Sequence, residues 1–182
     1  MSAKITSINY CPVKSVSFQS VKNCKIKKNI GIIGDRIFAF AKDLNTEQAK
    51  LFEKSPEERK GKWNKILTLK NSPALNKYNF IFEDEKLTLT QKNKKILSID
   101  INQSSEREAL SNQISELESS LKQPITLMKN DDFPFFDTSI SKKVDFVNSV
   151  SLLNIQVSMI LKKKLIRRLK PQYLEEIFVS ME

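Results

Sequence analysis

The apolar positions of this chain fall mostly into short runs that are typical of β-strands. Two runs, residues 78–82 and 87–90, flank the polar sequence EDEK and predict a hairpin. Apolar and polar positions alternate through residues 95–101, as expected of a strand with one buried face. Further strands are predicted at residues 4–13, 21–30, 36–42, 66–69 and 125–128.

Helical spacing is clearest at about residues 105–122, where apolar side chains recur every three or four positions. The sequence SERE at 105–108 has the form of an N-terminal capping box, and Pro124 is expected to end the helix. A shorter helix is predicted before Pro56. The apolar face of the long helix consists of Leu110, Ile114, Leu117 and Leu121.

Many short strands around one clear amphipathic helix predict an α+β, mostly β fold with a β-barrel architecture, and disfavour a parallel α/β sheet. The length of 182 residues allows one domain or two small ones. No apolar run approaches the roughly 20 residues of a membrane span, and the N-terminus lacks a signal-peptide pattern. We therefore predict a cytoplasmic protein without a membrane span.

Composition excludes several kinds of catalysis. The chain has no histidine, which removes Ser-His-Asp and Cys-His catalysis and histidine metal sites. Cys11 and Cys24 are too few for a disulfide framework or a zinc site, and we predict two reduced thiols. The net charge of +10 comes from scattered lysines, so we predict a lysine-rich surface and no nucleic-acid partner.

Three donors stand where an anion could be bound. Lys14 and Ser15 follow the first predicted strand, and Arg36 follows a turn that contains two glycines. Lysine offers a point charge, arginine a planar fork, and the hydroxyl and turn amides further donors. We predict that the three converge on one anionic ligand. The alternative is a solvated Lys14 and an Arg36 that pairs with Asp35 or a distant carboxylate.

Four stretches resemble MOSC proteins. YCPVKS at residues 10–15 resembles the YPVKS opening of MOSC N-terminal β-barrel domains, and GIIGDRIF at 31–38 resembles their GDR turn and strand. LTLKNSPAL at 67–75 resembles the family segment that ends in Pro-x-Leu, with Lys70 in place of arginine. FDTS at 136–139, followed by VNSVSL at 147–152, resembles the entry to the MOSC domain proper.

The resemblance implies a molybdenum-cofactor oxidoreductase. Its relatives include mitochondrial amidoxime-reducing components and bacterial proteins that reduce N-hydroxylated bases, so an N-hydroxylated substrate and an electron-donor protein are the implied partners. Pyridoxal phosphate binding is implied at family level only. The family's metal-binding cysteine lies far downstream, which leaves Cys11 a buried strand residue and no metal ligand assigned here. The implied cofactor-binding residues are Lys14, Ser15, Arg36, Asn148, Ser149 and Ser151.

The same resemblance divides the chain. Residues 1–102 are predicted to form the MOSC N-terminal β-barrel-like domain, 103–123 the helix, and 124–156 the start of a MOSC domain whose barrel is incomplete. Asp137 is expected in a turn or a helix cap. Residues 157–182 depart from the family and predict a basic helix, with no cysteine after Cys24. We therefore expect a truncated product that is not an active molybdoenzyme.

Two alternatives are a non-catalytic cofactor or sulfur carrier and a basic-tail binder of nucleic acid or membrane. We also hypothesise that residues 157–182 are translated in a shifted frame. With AT-rich codons, YLEEI at 173–177 can encode Phe-Arg-Gly-Asn-Ile one frame away, which is a motif that the family places there. Sequencing the gene should reveal a family-like frame beneath and beyond codons 157–182. Its absence would end the frameshift hypothesis.

Overall fold

A computed structural model of the chain describes residues 4–28, 30–121 and 123–136. They belong to the first of two units of the chain, Met1–Asn148. The second unit, Ser149–Glu182, lies outside the described residues, as do Asp137 and Asn148. The predictions for Ser149, Ser151 and the tail at 157–182 therefore fall outside them, and the four-part division of the chain stays a prediction.

The described residues form nine strands and two α-helices, with short 3₁₀ helices at Glu57–Arg59, Trp63–Lys65 and Pro73–Lys77. The order is β1 (Ile8–Tyr10), β2 (Gln19–Val21), β3 (Ile26–Lys27), β4 (Gly31–Ile32), β5 (Phe38–Lys42), α1 (Thr46–Lys54), β6 (Tyr78–Glu83), β7 (Lys86–Gln91), β8 (Lys94–Asp100), α2 (Ser104–Leu117) and β9 (Ile125–Lys129).

The strands pair antiparallel in four separate sheets, β1–β2, β3–β4, β5–β9 and β6–β7–β8. The prediction of an α+β, mostly β fold is confirmed. A closed barrel is not found within the described ranges, where no sheet has more than three strands. Both predicted helices are present, and neither is long and apolar enough to cross a membrane.

Strands β6, β7 and β8 form a three-stranded meander, and its first two strands confirm the predicted hairpin. The connection from β6 to β7 is a two-residue turn at Asp84 and Glu85, and the next is at Lys92 and Asn93. All four residues have positive φ, between 49° and 62°. Positive φ at both central positions is the geometry of a type I′ turn, whose twist matches that of the strands it joins.

The main core lies between the meander, β5, β9 and α2. Aromatic pairs join the sheets: the ring centroids of Phe40 and Phe80 are 5.7 Å apart, and those of Phe38 and Phe82 are 5.3 Å apart. Helix α2 contributes two fully buried side chains, Leu110 and Ile114. Burying apolar surface between these layers is the principal stabilising term for such a fold.

Helix α2 departs from its predicted bounds and cap. It ends at Leu117, well before Pro124, and its N-cap residue Gln103 makes no side-chain cap. The capping box predicted at residues 105–108 is wrong, because α2 begins at Ser104 and Ser105 therefore lies inside the helix. The Glu106 side chain accepts a hydrogen bond from the Asp100 amide at 2.6 Å. A capping box does occur at α1, where the Asn45 and Gln48 side chains and amides bond reciprocally.

The predicted strand at 66–69 is also wrong. Ile66 makes only an isolated bridge to Ala41. The Asn71 side chain accepts from the Thr68 amide at 2.8 Å and donates to the Ile66 carbonyl at 3.0 Å. These local bonds satisfy backbone groups that a strand would need for pairing, so the chain turns.

One buried carboxylate should make stability depend on pH. The Lys77 ammonium lies 2.8 Å from Glu118 and, with the Ser120 hydroxyl, lowers the pKa of that carboxyl from its ordinary 4.5. A carboxylate whose pKa is lower in the folded state than in the unfolded state stabilises the fold. This stabilisation is complete at pH values above the unfolded-state pKa and is lost as the pH falls through the folded-state pKa. We expect Glu118→Gln to lower the free energy of unfolding at pH 7. Below about pH 4.5, the unfolding free energy of this variant should fall less steeply with pH than that of the wild-type chain.

Urea denaturation between pH 3 and 7 measures this dependence. Glu116→Gln is the matched control, because Glu116 is exposed in the last turn of α2, two residues before Glu118. If the free energy of unfolding depends on pH in the same way in Glu118→Gln and Glu116→Gln, the Lys77–Glu118 pair does not cause that dependence.

Candidate anion-binding site

Two short segments that carry the predicted donors run side by side. The Arg36 amide donates to the Cys11 carbonyl at 2.6 Å, and the Phe38 amide donates to the Pro12 carbonyl at 3.1 Å. The Lys14 amide returns a bond to the Phe38 carbonyl at 2.8 Å, so residues 11–14 pair parallel with residues 36–38. The fold therefore sets the segment that carries Lys14 beside the segment that carries Arg36, with Cys11 bonded to Arg36 and Lys14 bonded to Phe38.

Both segments turn through left-handed backbone. Ser15 has φ 58° and Arg36 has φ 54°, values that few residues other than glycine adopt without strain. The Val16 amide closes the first turn on the Val13 carbonyl at 3.2 Å. Such conformations persist where surrounding contacts hold them, and they are frequent at ligand sites.

Asp35 ties the two segments together through its side chain. One carboxylate oxygen, Oδ1, accepts from the Cys11 amide at 2.9 Å, and Oδ2 accepts from Arg36 Nη1 at 3.1 Å. The Arg36 side chain is 29% exposed and that of Asp35 14%. The pairing of Arg36 with Asp35, one of the two interpretations left open by the sequence, is confirmed. It leaves the other guanidinium N–H groups without a hydrogen bond to the described residues.

A third segment reaches Arg36 from the end of the described chain. The Phe135 amide donates to the Arg36 carbonyl at 2.8 Å. The Phe136 ring lies under the guanidinium, with 5.6 Å from the guanidinium carbon to the ring centroid, within the range of a cation–π contact. The carboxylate and the ring together fix the direction of the Arg36 side chain.

Lys14 is only 3% exposed, so the alternative of a solvated lysine at a strand end is wrong. A buried ammonium loses hydration, and neighbouring groups must replace it. Ser15 is half-buried beside it. The donors thus comprise an ammonium, a hydroxyl and part of a guanidinium, a chemistry that fits a phosphate or another oxyanion.

Cys11 does not offer a metal-binding thiolate. Cys11 is buried, as predicted, and its Sγ donates to the Val13 carbonyl at 2.8 Å. Burial raises the pKa of the Cys11 thiol, which keeps the proton on sulfur. Among the described residues, no group of three or more cysteine and carboxylate side chains is arranged to hold a metal ion.

Tyr10 positions the glycine turn against the meander. Its hydroxyl donates to the Phe82 carbonyl at 3.4 Å, and burial raises the pKa of that hydroxyl. Gly34, at φ 94°, lies so close to the ring that an added Cβ would be 3.2 Å from Tyr10 Cε2. The turn that precedes Asp35 therefore needs glycine both for its backbone and for this contact.

Comparison with known protein families identifies the family of this chain. The family model described as the MOSC N-terminal beta barrel domain matches residues 2–125, more than half of the 182 residues. The chain belongs to this family. The MOSC family is associated with the molybdenum cofactor. No match was found among curated proteins or among solved structures.

The MOSC match covers Lys14, Ser15 and Arg36, while their role as cofactor ligands stays a prediction. Asn148, Ser149 and Ser151 lie beyond both the match and the described residues. Sequence reasoning missed the bond from Asp35 to the Cys11 amide and the Phe136 ring beneath Arg36. Asp35 adjoins Arg36 in the GDR motif, but the contact with Phe136 joins residues a hundred positions apart and leaves no local signal.

We expect Gly34→Ala to destabilise the domain more than Gly61→Ala does. Both glycines have positive φ, which costs an alanine roughly 1 kcal/mol. Only Gly34 has a ring in contact distance, and an added methyl in a packed site costs about 1–3 kcal/mol more. Urea denaturation of the two variants measures the difference. Equal losses would mean that the Tyr10 ring moves aside at no cost.

Proposed function

We propose that this MOSC-family chain binds the phosphate end of the molybdenum cofactor with Lys14, Ser15 and Arg36. The observation that carries the proposal is the parallel pairing of residues 11–14 with 36–38, which sets two cationic residues on adjoining backbone. When bound, the cofactor supplies two-electron redox chemistry at molybdenum. The residues of this chain supply charge, hydrogen-bond donors and orientation.

The two cations have different parts in this proposal. Lys14 is buried, and a charge in surroundings of low dielectric attracts an anion more strongly than the same charge in water. Arg36 is partly exposed and has donors that Asp35 does not use, so it can take two phosphate oxygens at once. Asp35 and Phe136 hold the guanidinium in one direction, which reduces the conformational entropy lost on binding.

Asp35 also sets the charge of the site. Its carboxylate forms an ion pair with Arg36 and so offsets part of the positive charge there. Asp35 is largely buried, and its two oxygens already accept from the Cys11 amide and from Arg36. It is therefore a positioning residue, and the anion contacts fall to Lys14, Ser15 and Arg36.

For the residues that the structure describes, we propose cofactor binding and assign no catalytic step. Reduction of N-hydroxylated compounds with an electron-donor protein is the activity that the resemblance implies for intact relatives. Cys11 is buried and hydrogen-bonded to a carbonyl. This does not favour a sulfur carrier at Cys11, because transfer needs an accessible thiolate.

The test is cofactor content after purification from a host that makes the molybdenum cofactor. We expect the wild-type chain to retain pterin, and Lys14→Met and Arg36→Met each to retain roughly tenfold less, because a charged hydrogen bond contributes about 1.5–3 kcal/mol. Arg36→Lys keeps the charge but loses the planar fork, so it should retain an amount of pterin between those of the wild-type chain and Arg36→Met. Pterin fluorescence and molybdenum mass spectrometry measure the content.

Lys50→Met is the matched control, since Lys50 is exposed on α1 and its loss changes the net charge equally. Circular dichroism establishes that each variant is folded. The proposal fails if the wild-type chain retains no pterin, or if folded Lys14→Met and Arg36→Met retain as much as Lys50→Met.

A further inference from the structure

We propose that Arg59, which makes none of the anion contacts assigned above, is a positioning residue that holds Arg36 in its binding conformation. This inference rests on the proposed function of Arg36. It concerns a residue that no sequence motif indicated, and it follows from a continuous series of contacts between the two arginines.

The first contacts join Arg59 to the end of α1. Its residue surface is only 1% exposed, and Nε donates to the Phe52 carbonyl at 2.7 Å. Nη2 makes a longer contact with the Glu53 carbonyl at 3.5 Å. Carbonyls in the last turn of a helix lack helical partners and carry partial negative charge, so a guanidinium is well suited to them.

The next contacts join Arg59 to residues 133–135. Nη1 donates to the Phe133 carbonyl at 2.7 Å and lies 3.3 Å from the Pro134 carbonyl. The guanidinium carbon is 4.0 Å from the centroid of the Phe135 ring, a close cation–π contact. One side chain thus fastens this segment to helix α1, across more than 70 positions of sequence.

Arg59 is held by carbonyl oxygens and a ring, without a carboxylate within 4.0 Å in the part of the chain that the structure describes. Burial lowers the pKa of its guanidinium to about 10, which still leaves it charged at neutral pH. A buried charge that depends on several carbonyls requires those carbonyls to stay in place. The segment at 133–135 is therefore fixed in position relative to α1.

The same segment then contacts Arg36. The Phe135 amide donates to the Arg36 carbonyl at 2.8 Å, and the Phe136 ring lies 5.6 Å from the Arg36 guanidinium carbon. Residue 36 has φ 54°, a conformation that needs support from its surroundings. Without Arg59, the backbone bond and the ring contact at Arg36 would loosen, and Asp35 alone would orient the guanidinium.

A purely structural role predicts something different. If Arg59 only stabilised α1 and the segment, its loss would lower the free energy of unfolding and leave the anion affinity of the folded protein unchanged. A positioning role predicts lower affinity in the folded protein, and predicts that this loss disappears when Arg36 is already absent. Such coupling between two sites is what a double-mutant cycle measures.

The test titrates the full chain with inorganic phosphate by calorimetry, in a buffer free of other oxyanions and below each variant's unfolding temperature. We expect Arg59→Met to weaken phosphate binding about threefold to tenfold, and to cause no further loss in an Arg36→Met background. Arg59→Lys should recover part of the affinity, because it restores the charge without the fork.

Arg107→Met is the matched control. Arg107 also contacts α1, through the Glu53 carboxylate at 3.0 Å, and its loss changes the net charge by the same amount. It has no hydrogen bond to residues 133–136. Hydrogen exchange of the Phe135 amide, measured without ligand, gives a second readout: Arg59→Met should accelerate it at least tenfold relative to Arg107→Met.

The outcomes separate the two proposals. In one outcome, the wild-type chain binds phosphate, Arg36→Met weakens that binding, and Arg59→Met matches Arg107→Met in phosphate affinity and in exchange of the Phe135 amide. This outcome overturns the positioning role of Arg59 and leaves the proposed anion site in place. If the wild-type chain does not bind phosphate, both proposals are overturned, and the exchange of Phe135 then reports only whether Arg59 fastens the segment.

Discussion

Strand β5 is the element on which the rest of the described structure depends, because it is hydrogen-bonded along both edges and buried on both faces. One edge pairs with β9 through five residues. The other edge bonds to residues 12–14 and, through the Phe40 carbonyl, to the Leu67 amide at 2.8 Å. Four consecutive residues from Phe38 to Ala41 are at most 1% exposed. A strand placed in this way fixes segments from three distant parts of the sequence against one another.

The free edge of β9 is covered by side chains rather than by another strand. The Ser111 hydroxyl of α2 accepts from the Leu127 amide at 2.9 Å, and the Glu53 carboxylate of α1 accepts from the Lys129 amide at 2.9 Å. Covering an edge satisfies its backbone groups and removes a template for pairing with other chains. Both helices thus complete the sheet as well as the core, which explains why a small two-stranded sheet can be buried here.

Local patterns were enough to predict the elements whose stability is local. The meander followed from one predicted hairpin and from the alternation of residues 95–101. The candidate donors Lys14, Ser15 and Arg36 followed from a strand end and a glycine turn. The pairing of β5 with β9, nearly ninety residues apart, had no signal in either strand. The strand predicted at 66–69 failed because Asn71 offers the backbone a competing set of bonds, and the capping box predicted for α2 failed because the helix begins before Ser105. The contacts of Phe136 and Arg59 involve the segment that follows β9, which motif reasoning did not connect to the candidate donors.

The position of Cys11 has a consequence for a domain associated with a redox cofactor. Its sulfur lies in the segment that carries Lys14, yet it is buried, protonated and bonded to the Val13 carbonyl. Oxidants attack the thiolate, and a thiol in this state presents almost none. The proposed anion site can therefore stand beside electron-transfer chemistry without oxidation of the sulfur in its own segment.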